Sequence, residues 1–183
     1  MTPSAALLRG VNVGGRNQIK MPQLTAICES LGHAGARTLL QSGNVVFRSR
    51  NADRKQVVKD LQDAIEKRCG FRPEIFLRSF QELRESIAAN PFPDAARDDP
   101  SHLLILFTDG TPPAGVAESL TGFKGGPERV KLVGKNLYLH YAGGIGTSKL
   151  TNAVIEKALQ AAGTARNWNT VNRLAELCSE LPR

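Results

Sequence analysis

The chain is short of the residues that usually announce a chemistry. Its 183 residues include three cysteines, three histidines, two methionines, two tyrosines and one tryptophan, and aromatics make up 5%. Cys28, Cys69 and Cys178 are odd in number, widely spaced and set at apolar positions of predicted helices, which reads as core usage rather than a disulfide framework. His33, His102 and His140 share no metal-ligand spacing with one another or with cysteine, so no metal and no cofactor is expected. No apolar run approaches the roughly 20 residues that span a bilayer. The opening MTPSAALLRGVNVGG lacks the basic segment and the apolar length of a secretory signal, so a cytoplasmic protein with no membrane partner is expected. Acidic residues are scarce at the start, where none precedes Glu29.

What is present is an ordinary globular composition, 41% hydrophobic and 22% charged, with a formal net charge of +7. The charge is uneven. Residues 1–97 hold 15 Lys and Arg against 9 Asp and Glu, a net of +6, while residues 98–183 hold 9 against 8, a net of +1. Any attraction for an anion or polyanion is therefore concentrated in the first half.

Local signals order the elements. Ala5 to Leu8 reads as a buried strand, and a helix opens near Pro22, carries Leu24, Ile27, Cys28 and Leu31, and stops at Gly32. Arg37 to Leu40 and Val45 to Phe47 are strands around the tight turn Gln41-Ser42-Gly43-Asn44. A helix over Asp53 to Cys69, a strand over Glu74 to Leu77 and a capping box of Ser79 with Glu82 follow. That order is βαββαβ plus an extra helix, the split-βαβ or ferredoxin-like pattern.

After Asn90-Pro91-Phe92-Pro93-Asp94 the order repeats. Strand Leu103 to Phe107, helix Ala114 to Leu120, hairpin Arg129 to Val133 with Leu137 to Tyr141, helix Ser148 to Ala161, strand Thr164 to Arg166 and helix Thr170 to Leu181 complete it. The predicted fold is α+β, with two tandem ferredoxin-like halves of duplicated topology. Residues 1–90 form the first half, 91–100 a linker and 101–183 the second half.

In this pattern the first strand lies antiparallel to the third, which places Arg9 to Asn17 beside Gln41 to Asn44. In the second half the loop Ala142 to Lys149 shares a sheet end with Arg166-Asn167-Trp168-Asn169. Two polar constellations result. The first has Arg9, Arg16 and Lys20 around Gly14-Gly15 at a helix N-terminus, where free N–H groups favour an anion. The plain alternative is that the glycines only turn the chain while Asn12 and Asn17 cap it. The second, Gly143 to Lys149, resembles a phosphate cradle but reverses the Ser-Lys order of a P-loop, and a turn with Thr147 or Ser148 as helix cap explains it equally. Ser42 has no histidine beside it, and adjacent Ser148 and Lys149 on a helix would diverge. Neither constellation contains a carboxylate, which argues against acid/base hydrolysis and a Mg²⁺ site.

Two surfaces broaden the options. The second hairpin leaves Arg129, Lys131, Tyr138 and His140 on one sheet face, basic and aromatic as in RNA-binding sheets but without their sequence motif. Ala5 to Leu8, Leu39-Leu40 and Leu103 to Phe107 are apolar on both faces, so the second face must be covered by the other half or by another subunit. Trp168 reads as core, with a stacking platform as the sharper alternative.

The phrases LLRGVNVGGRNQIKMPQL, QSGNVVF, GGIGTSKL and TARNWNTV together resemble the bacterial family named domain of unknown function 1697. The resemblance implies a two-part α+β protein and no established activity. Its motif positions fall on Arg9, Gly10, Asn12, Gly14, Gly15, Lys20, Met21, Gln41, Ser42, Gly43, Asn44, Ser148, Lys149, Arg166, Asn167 and Trp168. The leading expectation is a protein that binds a small anionic, phosphate-bearing ligand through Arg9, Asn12, Gly14, Gly15, Asn17, Lys20, Gln41, Ser42 and Asn44, together with Ser148, Lys149, Arg166, Asn167 and Trp168. The alternatives are a module that binds nucleic acid weakly and without sequence preference, and a homodimeric interaction protein without catalysis.

Overall fold

A computed structural model describes residues 1–182. The chain is α+β, with two four-stranded antiparallel sheets in two compact units.

The first unit holds Met1–Arg84 and the segment from Arg173 onward. Its strands are β1 (Thr2–Leu8), β2 (Ala34–Leu39), β3 (Asn44–Ser49) and β4 (Ile75–Ser79), in the order β2-β3-β1-β4. Helices α1 (Met21–Ser30) and α2 (Arg54–Cys69) follow β1 and β3. Alternation along the strands points Ala6, Leu8, Val45, Phe47, Ile75 and Leu77 at Leu24 and Ile27 of α1 and Leu61 and Ile65 of α2, and this cluster is the core. Asp53 starts α2 by accepting the N–H groups of Lys55 and Gln56, and Gly70 in the left-handed region ends it. The segment from Arg173 onward ties to the hairpin, with Arg37 paired to Glu180 and Arg48 donating to the Leu181 carbonyl at 3.1 Å.

The second unit, Glu85–Asn172, carries β5 (Leu103–Thr108), β6 (Arg129–Val133), β7 (Asn136–His140) and β8 (Gly163–Asn167) in the order β6-β7-β5-β8. Its core joins Leu106, Val130, Leu137 and Leu139 to Val116 and Leu120 of a short helix Val116–Leu120, and to Ile155 and Leu159 of the helix Asn152–Leu159. Two further helices cross the division along the chain. Phe80–Ala88 opens on the expected capping box, in which Glu82 accepts the Ser79 N–H at 2.7 Å, and Trp168–Ser179 closes the chain.

Three expectations need correction. The helix placed at Ser148 starts at Asn152, because the Thr151 hydroxyl, rather than Thr147 or Ser148, caps it by accepting from the Val154 N–H. The stretch placed as a linker contains a helical turn, Pro93–Asp98, whose start is set by Asn90 bonding the Phe92 N–H and C=O. The basic and aromatic sheet face is largely covered, with Lys131 alone of its four residues exposed. Tyr138 is 0% exposed and donates to the Ser86 carbonyl at 2.6 Å, His140 is 7% exposed, and Arg129 is paired to Asp94. On the second sheet faces, Ala5, Leu7, Leu103 and Ile105 are each 0% exposed.

Candidate functional site

In the first unit the structure brings the two expected loops together. Leu8 N–H donates to the Gly43 carbonyl at 2.8 Å, and Asn12 Nδ2 donates to the Gln41 carbonyl at 2.7 Å. Asn12 also accepts the Ile19 N–H at 2.9 Å, and Asn17 Nδ2 reaches the Gly10 carbonyl at 3.2 Å. Both asparagines stand at positive φ, a conformation their short side chains tolerate by making such local bonds. Asn44, fully buried, donates to the Leu39 carbonyl and to Ser42 Oγ. Gly14 and Gly15 make an exposed turn closed by the Val13–Arg16 bridge.

The polar side chains of this constellation are therefore largely consumed in holding the loop. Arg9, counted among the anion-binding cations, is paired with Glu74 beside it, a carboxylate that was not expected there. Arg16 and Lys20 remain, both exposed and without an ion pair among the described residues. Lys20 sits at the start of α1 with Pro22 inside the first turn.

The second constellation is concave. A pocket of about 140 Å³ is lined by Phe123 to Glu128 on one side, and by Gly143, Gly144, Thr147, Ser148 and Lys149 on the other. Ser148 is extended rather than helical and donates through Oγ to Glu128 Oε1, while the Leu150 N–H donates to Ser148 Oγ at 3.0 Å. Thr147 Oγ1 bonds the Gly143 carbonyl at 3.0 Å, which tightens the turn. Glu128 is only 5% exposed, and its Oε2 is enclosed with no hydrogen-bond partner among the described residues. The expectation of a constellation without a carboxylate is thus overturned here as well. Burial, and then the charge of Glu128, pushes the nearby Tyr141 phenol up to about 12.

Arg166, Asn167 and Trp168 share this sheet end, since His140 pairs with Leu103 and Asn167 with Leu104, yet none of them lines the pocket. Arg166 Nη1 donates to Thr164 Oγ1 at 2.8 Å, and burial pulls its guanidinium down to about 10. Asn167 caps the last helix by accepting the Thr170 N–H at 2.9 Å, and Trp168 is partly buried in the first turn of that helix.

Two groups escaped sequence reasoning. Glu128 was legible only as a polar residue after Gly125-Gly126-Pro127, and it takes the turn of that segment to bring it to Ser148. Asp99 accepts from His102 Nδ1 at 2.8 Å and from His140 Nε2 at 3.0 Å, while the Arg129 guanidinium donates to His140 Nδ1. The spacing of Asp99 and His102 hinted at half of that network. Pairing of β6 with β7 supplies the rest.

Comparison with known proteins places the fold but no chemistry. Among solved structures, the conserved bacterial protein SP0830 from Streptococcus pneumoniae is similar over 98% of this chain and 99% of its own, with a TM-score of 0.71 at 21% identity, a likeness of fold. No curated protein matches the chain. No helix among the described residues is long and apolar enough to cross a membrane. The family model described as protein of unknown function (DUF1697) matches residues 1–138, and the chain belongs to that family.

Proposed function

We propose that this protein binds a small anionic, phosphate-bearing ligand, and that the glycine-lined pocket of the second unit holds it. The observation that carries the reading is concavity with cations on the rim: Lys124 and Lys149 both line a pocket walled by Gly125, Gly126, Gly143 and Gly144. The N–H groups of Gly125, Gly126 and Gly144 are turned onto the carbonyls of Gly122, Phe123 and Tyr141, so the attraction for an oxyanion rests on the compact charge of the two lysines. The first-unit loop carries Arg16 on an exposed turn and Lys20 at the start of α1, outside any concavity, and its asparagines are spent on holding the loop, so it reads better as a scaffold. We also read each unit as ferredoxin-like and the pair as a tandem duplication, a view supported by the equivalent strand orders β2-β3-β1-β4 and β6-β7-β5-β8.

Thermal shift with inorganic phosphate, sugar phosphates and nucleotides tests the site. A ligand at 100 times its dissociation constant stabilises the native state by about 2.7 kcal/mol. Lys149→Ala, which removes a charge-assisted bond of about 1.5 to 3 kcal/mol, should then lower affinity by roughly 10-fold to 150-fold. If no phosphate stabilises the wild type, or Lys149→Ala responds as strongly, the proposed site is wrong.

A further inference from the structure

Resting on that reading, we infer that the ligand of this pocket is a zwitterion, an anionic phosphate carrying an ammonium group a short chain away, with the ammonium received by Glu128. A bare anion fits the pocket poorly. Glu128 is buried in the same wall that Lys124 and Lys149 flank, so an oxyanion drawn to the lysines also meets a carboxylate. A simple cation meets the reverse problem. A molecule with both charges matches both ends.

The second support is the state of the carboxylate. Ser148 satisfies Oε1, whereas Oε2 is enclosed with no partner among the described residues. An unsatisfied buried acceptor is costly, and most so when ionised. Such a group in a native structure calls for an explanation, and a ligand's ammonium supplies one.

The surroundings are shaped around this oxygen. A Cβ at position 126 would collide with Oε2 and stand 2.9 Å from the carboxyl carbon, so glycine at 126 is what leaves the carboxylate its place. The covering segment is a backbone of unusual conformation, with Gly122, Lys124 and Gly125 all at positive φ. Lysine in that region is strained, and strain of this kind gathers at ligand clamps. Oε2 lies against Gly126, whose neighbours Lys124 and Gly125 are exposed, so an ammonium that reaches it displaces this segment. The pocket is small, about 140 Å³, which suits a compact ligand.

The test uses three probes on the whole chain: inorganic phosphate, ethyl phosphate and 2-aminoethyl phosphate, measured by calorimetry. In the wild type 2-aminoethyl phosphate should bind at least about 10-fold more tightly than ethyl phosphate, the amine being their chief difference. Glu128→Gln keeps the shape and removes the charge, and should bring the two probes within about 3-fold of each other. Should that variant fail to fold, Glu128→Asp keeps the charge and withdraws it by one methylene, and the preference should shrink. Lys149→Ala should weaken both phosphates alike. Equal binding of ethyl and aminoethyl phosphate to the wild type, with Lys149 still required, would overturn the zwitterion and leave the anion site standing. Failure of all three probes to bind would overturn both.

Discussion

The two glycine-rich loops of this protein look alike in sequence and are opposite in structure. Each follows a strand, carries paired glycines and ends in a lysine, and each invites a phosphate-loop reading. In the first, Asn12, Asn17 and Asn44 turn their amides onto backbone groups of the loop and its neighbouring hairpin, and Gly14-Gly15 projects into solvent. In the second, the turn over Gly143 to Lys149 faces a wall built by Phe123 to Glu128 and encloses a buried carboxylate. The lesson is that glycine and cation content do not separate a scaffold from a site. Both loops spend most of their polar side chains on internal bonds, Thr147 and Ser148 as much as Asn12 and Asn17; what separates them is that only the second faces a wall, with lysines on the rim and a buried carboxylate in it.

The largest expected effect tests the scaffold half of that contrast. Gly43 stands at φ 74°, and a Cβ there would overlap Val11 and lie 2.9 Å from Leu8 Cβ. Gly43→Ala combines overpacking of about 1 to 3 kcal/mol with a left-handed penalty of about 1 to 2 kcal/mol, so a loss of about 2 to 5 kcal/mol is expected. Gly14, at φ 58° with nothing within 4 Å of its Cβ position, should cost only the left-handed penalty of about 1 to 2 kcal/mol on the same change. Urea denaturation of both variants reads the difference. Equal losses would mean that the hairpin does not grip the loop.

Acid should separate the loops next. The second loop leaves β7 just after His140, whose Nε2 is held by Asp99. Hydrogen bonds from His140, set against a smaller opposing effect of burial and helped by His102, hold the Asp99 carboxyl below its usual range. A carboxyl depressed in the folded state gives stability that is full above its unfolded value, near 3.9, and is lost as pH falls through the folded value. Asp94, lowered chiefly by its bond from Arg129, acts in the same window on the neighbouring strand. The first loop is held mainly by asparagine amides, which do not titrate. Hydrogen-exchange protection of residues 141–149 should therefore fall as the pH drops below about 4, before that of residues 10–20. The reverse order would break the comparison.

How much of this was legible beforehand follows from the range of the interactions involved. Strand and helix order came through because periodicity and caps are local: Asp53 caps its helix, Ser79 and Glu82 form their box, and Gln41 to Asn44 turn the hairpin. The pairing of β1 with β3 then placed Arg9 to Asn17 beside that hairpin, as topology predicts. Partnerships set by side-chain reach were not legible. Glu74 lies far from Arg9 in sequence and meets it only because β4 pairs with β1, and Glu128 meets Ser148 across two separate turns. Nor could alternation along β6 and β7 reveal that their basic and aromatic face is largely covered, because that depends on packing against Ser86 and Asp99.

The smallest expected effect is the most pointed. Arg16 and Lys20 are exposed and make no ion pair among the described residues, so replacing either with alanine removes little that the folded state uses. Substitutions of that kind fall within about 0.5 kcal/mol of neutral. If the first loop is a scaffold, both variants should also keep the wild-type response to phosphate probes, within about 2-fold in affinity, while Lys149→Ala loses it. Thermal shift and calorimetry on the three variants read both quantities. A large loss of phosphate binding in Arg16→Ala or Lys20→Ala, with stability unchanged and Lys149→Ala unaffected, would reverse the assignment. The exposed cations at the start of α1 would then be the site, and the pocket around Glu128 the structural turn.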